Sequence, residues 1–338
     1  MLSDLLAGTR RVALVGLAKN TGKTETLAAI LRELAERETC VAVTSIGRDG
    51  EARDVIDARI EKPRIVLPAG SIVASTDELV RASGLAHERL AQTGVRTPLG
   101  EVVIARLAEQ GAIEVAGPST AEGLREVSDA MLAYGAEQIL IDGSVDRRAA
   151  SSPAVAEGLV IATGAVLSEE IEEVVATTKA AVDLVRLPLA APPEDASNGG
   201  NMEPTLERNL VLSAGPAEIA ALLSEHPNAS TFHVEGALSE RFLEGLLAAR
   251  TERAGRELRI VARDPTKVFL TRWGPAWYRR QGLEIEVRET IDLKAITVNP
   301  VAPQSHRFDS KQLRELIEAS IGDVPVLDVL DPSYRPTS

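Results

Sequence analysis

Residues 10–38, RRVALVGLAKNTGKTETLAAILRELAERE, place a short apolar run, a polar loop with glycines and a helical pattern one after another. The run at 12–15 is apolar throughout, which is typical of a strand buried on both faces of a parallel sheet. From 24 to 36, apolar residues recur at the spacing of one helix face, at Leu27, Ile30, Leu31 and Leu34. A buried strand that leads into a helix through such a loop favours an α/β fold with a parallel sheet.

The loop between this strand and helix ends in Gly22-Lys23-Thr24 and has the chemistry of a phosphate-binding loop. Glycines let the backbone turn sharply and aim its N–H groups inward, a lysine neutralises the outer phosphates, and the following hydroxyl binds magnesium. We therefore predict a site for ATP and Mg2+, with Lys23 catalytic and Thr24 a metal ligand. A plain turn before a helix that begins at a threonine is the alternative. The residues predicted to bind the nucleotide along this segment are Gly16, Lys19, Asn20, Thr21, Gly22, Lys23, Thr24 and Thr26.

Two further segments place carboxylates where predicted strands end. In EQILIDGSVDR, Asp142 follows an apolar run, and we predict that it meets the magnesium opposite the Thr24 hydroxyl. In TSIGRDGEARD, Asp49 is the first choice and Asp54 the second for a metal ligand. Asp49 and Asp142 join Lys23 as the predicted catalytic residues. The alternatives are a turn aspartate before Gly143 and, around Asp49, a solvated run of charges.

Alternating apolar runs and helical stretches along the chain predict a doubly wound, mostly parallel sheet with helices on both faces. Ligands of such sheets collect at the carboxyl ends of the strands, where the glycine loop and both aspartates fall. Helices are predicted at 78–91, at 100–110 and from Ser119 or Thr120 to about 134. Strands are predicted at 40–46, 113–116, 139–141, 159–162, 210–212, 232–234, 258–261, 285–287, 296–298 and 324–329.

The segment 191–204, APPEDASNGGNMEP, is the clearest break in this pattern, because it combines prolines, paired glycines and polar residues without periodicity. We predict a P-loop nucleotide-binding domain at 1–190, a linker at 191–204 and a second α/β domain at 205–338. Residues 290–338 are a candidate to complete the nucleotide site of the first domain.

Charge and hydropathy limit the kinds of partner that the chain is expected to bind. The 338 residues carry a net charge of -13, which opposes non-specific attraction to nucleic acid or to an anionic membrane. No apolar run approaches the length of a membrane span, and the first residues lack a secretory pattern because Asp4 interrupts a short apolar stretch. We expect a cytoplasmic protein whose partners include neither nucleic acid nor membrane.

The spacing of the loop glycines identifies a narrower group of proteins. Five residues separate Gly16 from Gly22, where the common phosphate loop has four. This form resembles the loop of dethiobiotin synthetase and the cobyrinic acid a,c-diamide synthases, within the wider class of partition and cell-division ATPases. Those ATPases often carry an extra lysine at the position of Ala18, and here Lys19 is displaced by one residue. Lys19 is therefore either a solvated lysine or an added phosphate contact, and an ATP-bridged homodimer stays open.

A late segment also resembles the dethiobiotin synthetase group. AITVNPVAP ends a predicted strand with Asn299, and Pro303 follows four residues later. In that family an Asn-x-x-x-Pro-like element holds adenine, since an amide can pair with both edges of the base. The resemblance implies that Asn299 binds the nucleotide. A structural turn is the alternative, because Asn-Pro is a common loop signal.

The family's Lys-Pro substrate segment is missing, because TSIGRDGE stands at the end of the second strand. Over nearly the whole chain, GLAKNTGKT, TSIGRDGE, an Asp-Gly pair followed by Arg, and the late Asn-Pro resemble the small ATPase subunit of the lysine 5,6-aminomutase reactivase. That resemblance implies ATP hydrolysis that reactivates an adenosylcobalamin-dependent aminomutase, with the aminomutase or a second ATPase subunit as protein partner. Two other functions stay open, an ATP-dependent ligase of the dethiobiotin synthetase class and a non-catalytic nucleotide-gated module. The preference for ATP over GTP is not fixed by these residues.

Overall fold

A computed structural model describes residues 1–46, 64–144, 148–192, 203–250, 257–303 and 305–334. The chain divides into two compact units, a larger unit of Met1–Lys179 with Ile291–Ser338 and a smaller unit of Ala180–Thr290. None of the helices within the described ranges is both long and apolar enough to cross a membrane.

The elements of the described residues alternate along much of the chain. The strands are β1 (Arg11–Gly16), β2 (Val41–Ser45), β3 (Ile65–Leu67), β4 (Ile72–Thr76), β5 (His87–Thr97), β6 (Gly100–Leu107), β7 (Gly111–Ile113), β8 (Gln138–Ser144), β9 (Gly158–Gly164), β10 (Thr205–Leu206), β11 (Thr231–Val234), β12 (Leu238–Ser239), β13 (Leu258–Ala262), β14 (Val268–Phe269), β15 (Leu283–Val287), β16 (Asp292–Asn299) and β17 (Val326–Leu327). The helices are α1 (Leu2–Leu5), α2 (Lys23–Glu36), α3 (Asp77–Ala82), α4 (Ala121–Ala133), α5 (Ile171–Val185), α6 (Arg208–Ser213), α7 (Pro216–Glu225), α8 (Glu240–Arg250), α9 (Pro275–Arg280) and α10 (Ser310–Ile321).

The larger unit is built on a nine-stranded sheet with the order β17-β16-β9-β1-β8-β2-β4-β6-β5. The strands from β17 to β4 run parallel, and β6 and β5 continue the sheet in antiparallel pairing. The predicted α/β fold with a mostly parallel sheet is confirmed. The strand order reverses at β1, with later strands on both of its sides, and such a switch point is where this architecture binds ligands.

The first strand and helix form where the sequence predicts them. Residues 12–16 of β1 are buried, as expected for a central parallel strand. Leu27, Ile30, Leu31 and Leu34 of α2 are buried in the same apolar cluster as strand residues Val12 and Leu14. Burial of this helix face fixes the start of α2, and with it the glycine loop, against the end of β1. The predicted cap of α4 is also confirmed, because the Thr120 hydroxyl accepts a hydrogen bond from the Gly123 N–H.

The helix predicted at 78–91 forms only over the short α3, and the helix predicted at 100–110 is wrong. Residues 87–97 and 100–107 form the antiparallel pair β5–β6, with Thr97 opposite Gly100 at its turn. Gly100 has φ +117, which favours glycine and lets the chain reverse. The run Glu-Arg-Leu-Ala-Gln at 88–92 consists of strong helix formers, yet it forms a strand because it pairs with β6, a contact that local propensity does not include.

The smaller unit has its own four-stranded parallel sheet in the order β10-β11-β13-β15. Its apolar core joins alternate strand residues such as Phe232, Ile260 and Ile285 to buried residues of its helices, among them Leu243 and Tyr278. The strand predicted at 210–212 is wrong, because these residues lie in α6, where two helical turns bury Val211 in this core. The other late strands form close to their predicted positions.

The compact units divide the chain differently from the predicted domains 1–190 and 205–338. After the smaller unit the chain returns to the main sheet, where β16 pairs in parallel with β9 and places Ile296 beside Ile161. The larger unit therefore consists of two sequence segments with the smaller unit inserted between them. Residues 193–202 of the predicted linker lie outside the described residues.

Candidate functional site

Loop 16–24 lies at the carboxyl end of β1, and its shape depends on two glycines. Gly22 has φ +85, and a Cβ added to it would stand 3.0 Å from the Cβ of Asn299. A Cβ added to Gly16 would stand 2.7 Å from the Thr21 hydroxyl oxygen. Asn20 also has a left-handed backbone, with φ +65. Both glycines are thus required by close approach, and Gly22 also by its backbone conformation.

The loop presents a row of backbone N–H groups. The Leu17 N–H donates to the Ala162 carbonyl at 2.9 Å and ties the loop to β9. From 18 to 25, no backbone N–H donates a hydrogen bond to another described residue. The first-turn N–H groups of α2 have no acceptor within the helix, and together with the positive end of the helix dipole they suit an anion.

Lys23 and Asp142 meet across the ends of two elements. The Lys23 ammonium lies 2.7 Å from a carboxylate oxygen of Asp142 and donates to the Gly143 carbonyl at 2.6 Å. Asp142 reaches this place because β8 pairs with β1 and puts Asp142 beside Leu14. Both side chains are about one quarter exposed, at 24% and 27%, so they remain open to a ligand from solvent.

The two threonines at the start of α2 have different surroundings. Thr24 is exposed, so its hydroxyl is accessible from solvent. Thr26 is buried, where its hydroxyl donates to the Gly22 carbonyl at 3.1 Å and lies 2.7 Å from the Thr297 hydroxyl. The predicted contact of Thr26 with the nucleotide stays a prediction, and in this structure Thr26 fastens the helix start to β16.

Asn299 lies against the loop at the end of β16. Its amide nitrogen donates to the Asn20 carbonyl at 3.1 Å, and its amide oxygen accepts from the Val301 N–H at 3.1 Å. Both ends of the amide therefore form hydrogen bonds with backbone groups, as expected for a structural turn, the alternative to a nucleotide contact. Its role in holding adenine stays a prediction.

Other predicted site residues are placed as follows. Lys19 and Asn20 are exposed on the loop, and Thr21 is buried, with its hydroxyl donating to the Ala18 carbonyl at 3.0 Å. Asp49 and Asp54 lie outside the described residues, so their metal roles stay predictions.

The donors present at the loop suit magnesium in kind. The Thr24 hydroxyl and the Asp142 carboxylate are hard oxygen donors, the type that Mg2+ takes alongside waters and phosphates. Among the described residues, no group of three histidine, cysteine or acidic side chains is arranged to hold a metal by itself.

Residues that the sequence did not single out also shape the site. Thr297 anchors the helix start, and a Cβ added to Gly164 would stand 2.3 Å from the Asn299 carbonyl oxygen. A Cβ added to Gly143 would stand 2.9 Å from the Ala150 Cβ. The only available signal for Thr297 is a polar residue inside an otherwise apolar strand pattern, AITV.

No protein-family model matches the chain, and no curated protein matches it. Among solved structures, the chain is similar to a structure of pNOB8 ParA bound to nonspecific DNA, with 14% sequence identity and a TM-score of 0.28. The alignment covers 65% of this chain and 76% of that chain. The expectation that this chain has no nucleic-acid partner stays a prediction.

Proposed function

We propose that the chain binds ATP with Mg2+ at loop 16–24, hydrolyses it and uses the hydrolysis to act on a protein partner. The observation that carries this proposal is the Lys23 ammonium, held 2.7 Å from Asp142 beside a loop whose N–H groups from 18 to 24 donate to no described residue. A charged lysine, inward N–H groups and a carboxylate at one switch point are the parts that phosphoryl transfer requires.

In this proposal the backbone of loop 16–24 and the first turn of α2 bind the phosphates. Lys23 turns from Asp142 towards the outer phosphates, because the ligand carries more negative charge than one carboxylate. Gly16 and Gly22 keep the loop narrow enough for its N–H groups to converge on the ligand. Lys19, exposed on the loop, is either a further phosphate contact or a solvated side chain.

Magnesium bound at this site would supply positive charge against the charge that develops on the phosphates in the transition state. We assign Thr24, Asp142 and Asp49 to hold it. If Lys23 turned towards the phosphates, the Asp142 carboxylate would lose its ion pair with Lys23 and could help to hold the ion. Asp49 is assigned in addition to position the attacking group.

The partner assignment rests on the resemblance to the aminomutase reactivase ATPase subunit. It implies an adenosylcobalamin-dependent aminomutase or a second ATPase subunit as partner. The absence of the Lys-Pro substrate segment of dethiobiotin synthetase from the sequence also favours a protein over a small acceptor. A homodimer is compatible with this proposal.

The test is Mg2+-dependent release of phosphate from ATP by the purified chain, alone and with an aminomutase inactivated by damaged cobalamin. Lys23→Ala should lower turnover by about a hundredfold or more, because it removes a preorganised positive charge from the phosphates. Lys311→Ala is the matched control, since Lys311 is 75% exposed on α10 and should leave turnover unchanged.

The outcomes separate the alternatives. Turnover raised by the inactivated aminomutase supports the proposal. Turnover that depends strictly on a small amine or acid would instead identify a ligase, and tight ATP binding without hydrolysis would identify a nucleotide-gated module. Full turnover in Lys23→Ala would mean that the nucleotide site lies elsewhere.

A further inference from the structure

The smaller unit contains a cavity of about 220 Å³ on the face of its sheet opposite the apolar core. The core uses alternate strand residues such as Phe232 and Ile260, and side chains of a strand alternate between the two faces. The intervening residues therefore face the cavity. This volume is below the about 300–1,000 Å³ of pockets for drug-sized ligands, so the cavity suits a small molecule. Its polar and charged lining residues are Glu203, Ser230, Thr231, His233, Arg259 and Glu286.

The strand register arranges these side chains in two rows. Thr231 of β11 is paired with Arg259 of β13 and forms the first row. His233 is paired with Val261, which is paired in turn with Glu286 of β15, and this set forms the second row. The first row thus carries a hydroxyl and a cation, and the second an imidazole and a carboxylate.

The first row has hydrogen-bonding capacity that the described residues leave unused. Thr231 is 4% exposed, and its hydroxyl has no hydrogen-bond partner among the described residues. Arg259 is half-buried and makes no ion pair with a described residue. The carboxylate beside it in the register, Glu284, lies instead 2.6 Å from Arg279. Because buried polar groups normally have partners, this row is suited to an anionic ligand group.

The second row presents an acceptor. His233 is 9% exposed, and its Nε2 lies 2.6 Å from a carboxylate oxygen of Glu203. An ionised carboxylate only accepts hydrogen bonds, so Nε2 carries a proton, and in the tautomer of the imidazole that this contact selects Nδ1 has a lone pair. That Nδ1 is buried, and no group in the described part of the chain forms a hydrogen bond with it.

Glu286 completes the second row. Burial raises the pKa of its carboxyl, Glu284 and Glu203 raise the pKa further, and Arg259 and Arg279 act in the opposite direction. The Glu286 carboxylate has thus lost hydration, and no cation of the described residues forms an ion pair with it, so a ligand cation would restore that lost stabilisation.

We propose that this cavity binds a small zwitterion of the amino-acid class. The ligand carboxylate accepts from the Arg259 guanidinium and the Thr231 hydroxyl. The ligand ammonium donates to the Glu286 carboxylate and to Nδ1 of His233. The inference is independent of nucleotide binding, because every residue that carries it belongs to the smaller unit.

The test is isothermal titration calorimetry of the full chain with each of the twenty standard amino acids at millimolar concentration. The best binder is then compared with its N-acetyl form, which lacks the ammonium, and its methyl ester, which lacks the carboxylate. Each modified form should bind about tenfold more weakly or worse, because one charged hydrogen-bonded contact is lost. In spectra of imidazole nitrogens, only one of the four histidines, His233, should shift on binding.

Variants connect the binding to the two rows. Arg259→Gln should weaken the amino acid and its N-acetyl form but leave the methyl ester unchanged, and Glu286→Gln should spare the N-acetyl form. Arg263→Gln is the control, since this exposed arginine does not line the cavity. The proposal is overturned if no amino acid binds, or if binding is the same in Arg259→Gln and Glu286→Gln as in the unchanged chain.

Discussion

Replacing Gly22 with alanine adds one methyl group where loop 16–24 lies against Asn299. At φ +85, a residue with a side chain costs about 1 kcal/mol or more relative to glycine. The new Cβ would lie 3.0 Å from the Asn299 Cβ, whereas carbon atoms in contact prefer about 3.5–4.0 Å. Asn299 must therefore move by about half an ångström and weaken hydrogen bonds worth about 1 kcal/mol each. We expect a total loss of about 2–3 kcal/mol in the free energy of unfolding.

The assay is urea unfolding followed by far-UV circular dichroism, with ATP affinity measured in parallel. Circular dichroism is needed because both tryptophans, Trp273 and Trp277, belong to the smaller unit. Gly8→Ala is the matched control, since Gly8 has φ +77 and nothing within 4 Å of an added Cβ. It should lose only the backbone contribution, about 1 kcal/mol. ATP affinity should fall in Gly22→Ala and stay unchanged in Gly8→Ala.

A second substitution isolates the contact. Asn299→Gly removes the Cβ that the new methyl group meets, so it should cost less stability in the Gly22→Ala background than in the unchanged chain. Equal losses in Gly22→Ala and Gly8→Ala, with ATP affinity the same in both, would refute the reasoning that Asn299 limits the width of the loop.

Two further substitutions test contacts in each unit. Thr26→Val leaves the buried Thr297 hydroxyl with one partner fewer and should lower the free energy of unfolding by about 1–2 kcal/mol. The double variant Thr26→Val/Thr297→Val should lose less stability than the sum of the two single variants. Additive losses in urea unfolding would contradict the pairing of the two hydroxyls. Burial raises the pKa of Glu240, but hydrogen bonds from the Thr271 hydroxyl and the 271–273 N–H groups outweigh it and lower the pKa to about 2. The ionised carboxylate therefore stabilises the fold fully above pH 4.5, its ordinary pKa, and this stability is lost as the pH falls towards 2. Glu240→Gln should flatten the dependence of the free energy of unfolding on pH between about 4.5 and 2, measured by tryptophan fluorescence. An unchanged slope in this acid range would contradict the stabilising role of the Glu240 carboxylate.

Local patterns predicted the centre of the larger unit well and its sheet edge poorly. The β1–loop–α2 element and the strand before Asp142 follow from apolar runs that are buried almost regardless of the rest of the chain. The β5–β6 pair was not predicted, because β5 is rich in helix formers and is held as a strand by β6, which in turn pairs with β4. Its turn at Pro98-Leu99-Gly100 is the one local signal for a hairpin.

The same contrast holds for the site. The two motifs predicted that the glycine loop and Asp142 lie together at the carboxyl ends of the strands, but the ion pair between Lys23 and Asp142 was not predicted. The contacts by which β16 holds the glycine loop and the start of α2 were not predicted. Thr297 and Asn299 contact Thr26 and Asn20 across 271 and 279 residues of sequence, and no short-range pattern encodes that proximity.

The insertion of the smaller unit between β9 and β16 has a consequence for synthesis. A ribosome makes loop 16–24 early, but the strand that braces it emerges only after the whole inserted unit. At about 5–20 residues per second, roughly a quarter of a minute or more separates the two events. Until then the nascent main sheet lacks β16 and β17, and the loop lacks its contacts with Asn299 and Thr297. Nucleotide binding by this site would accordingly report that translation has passed residue 299.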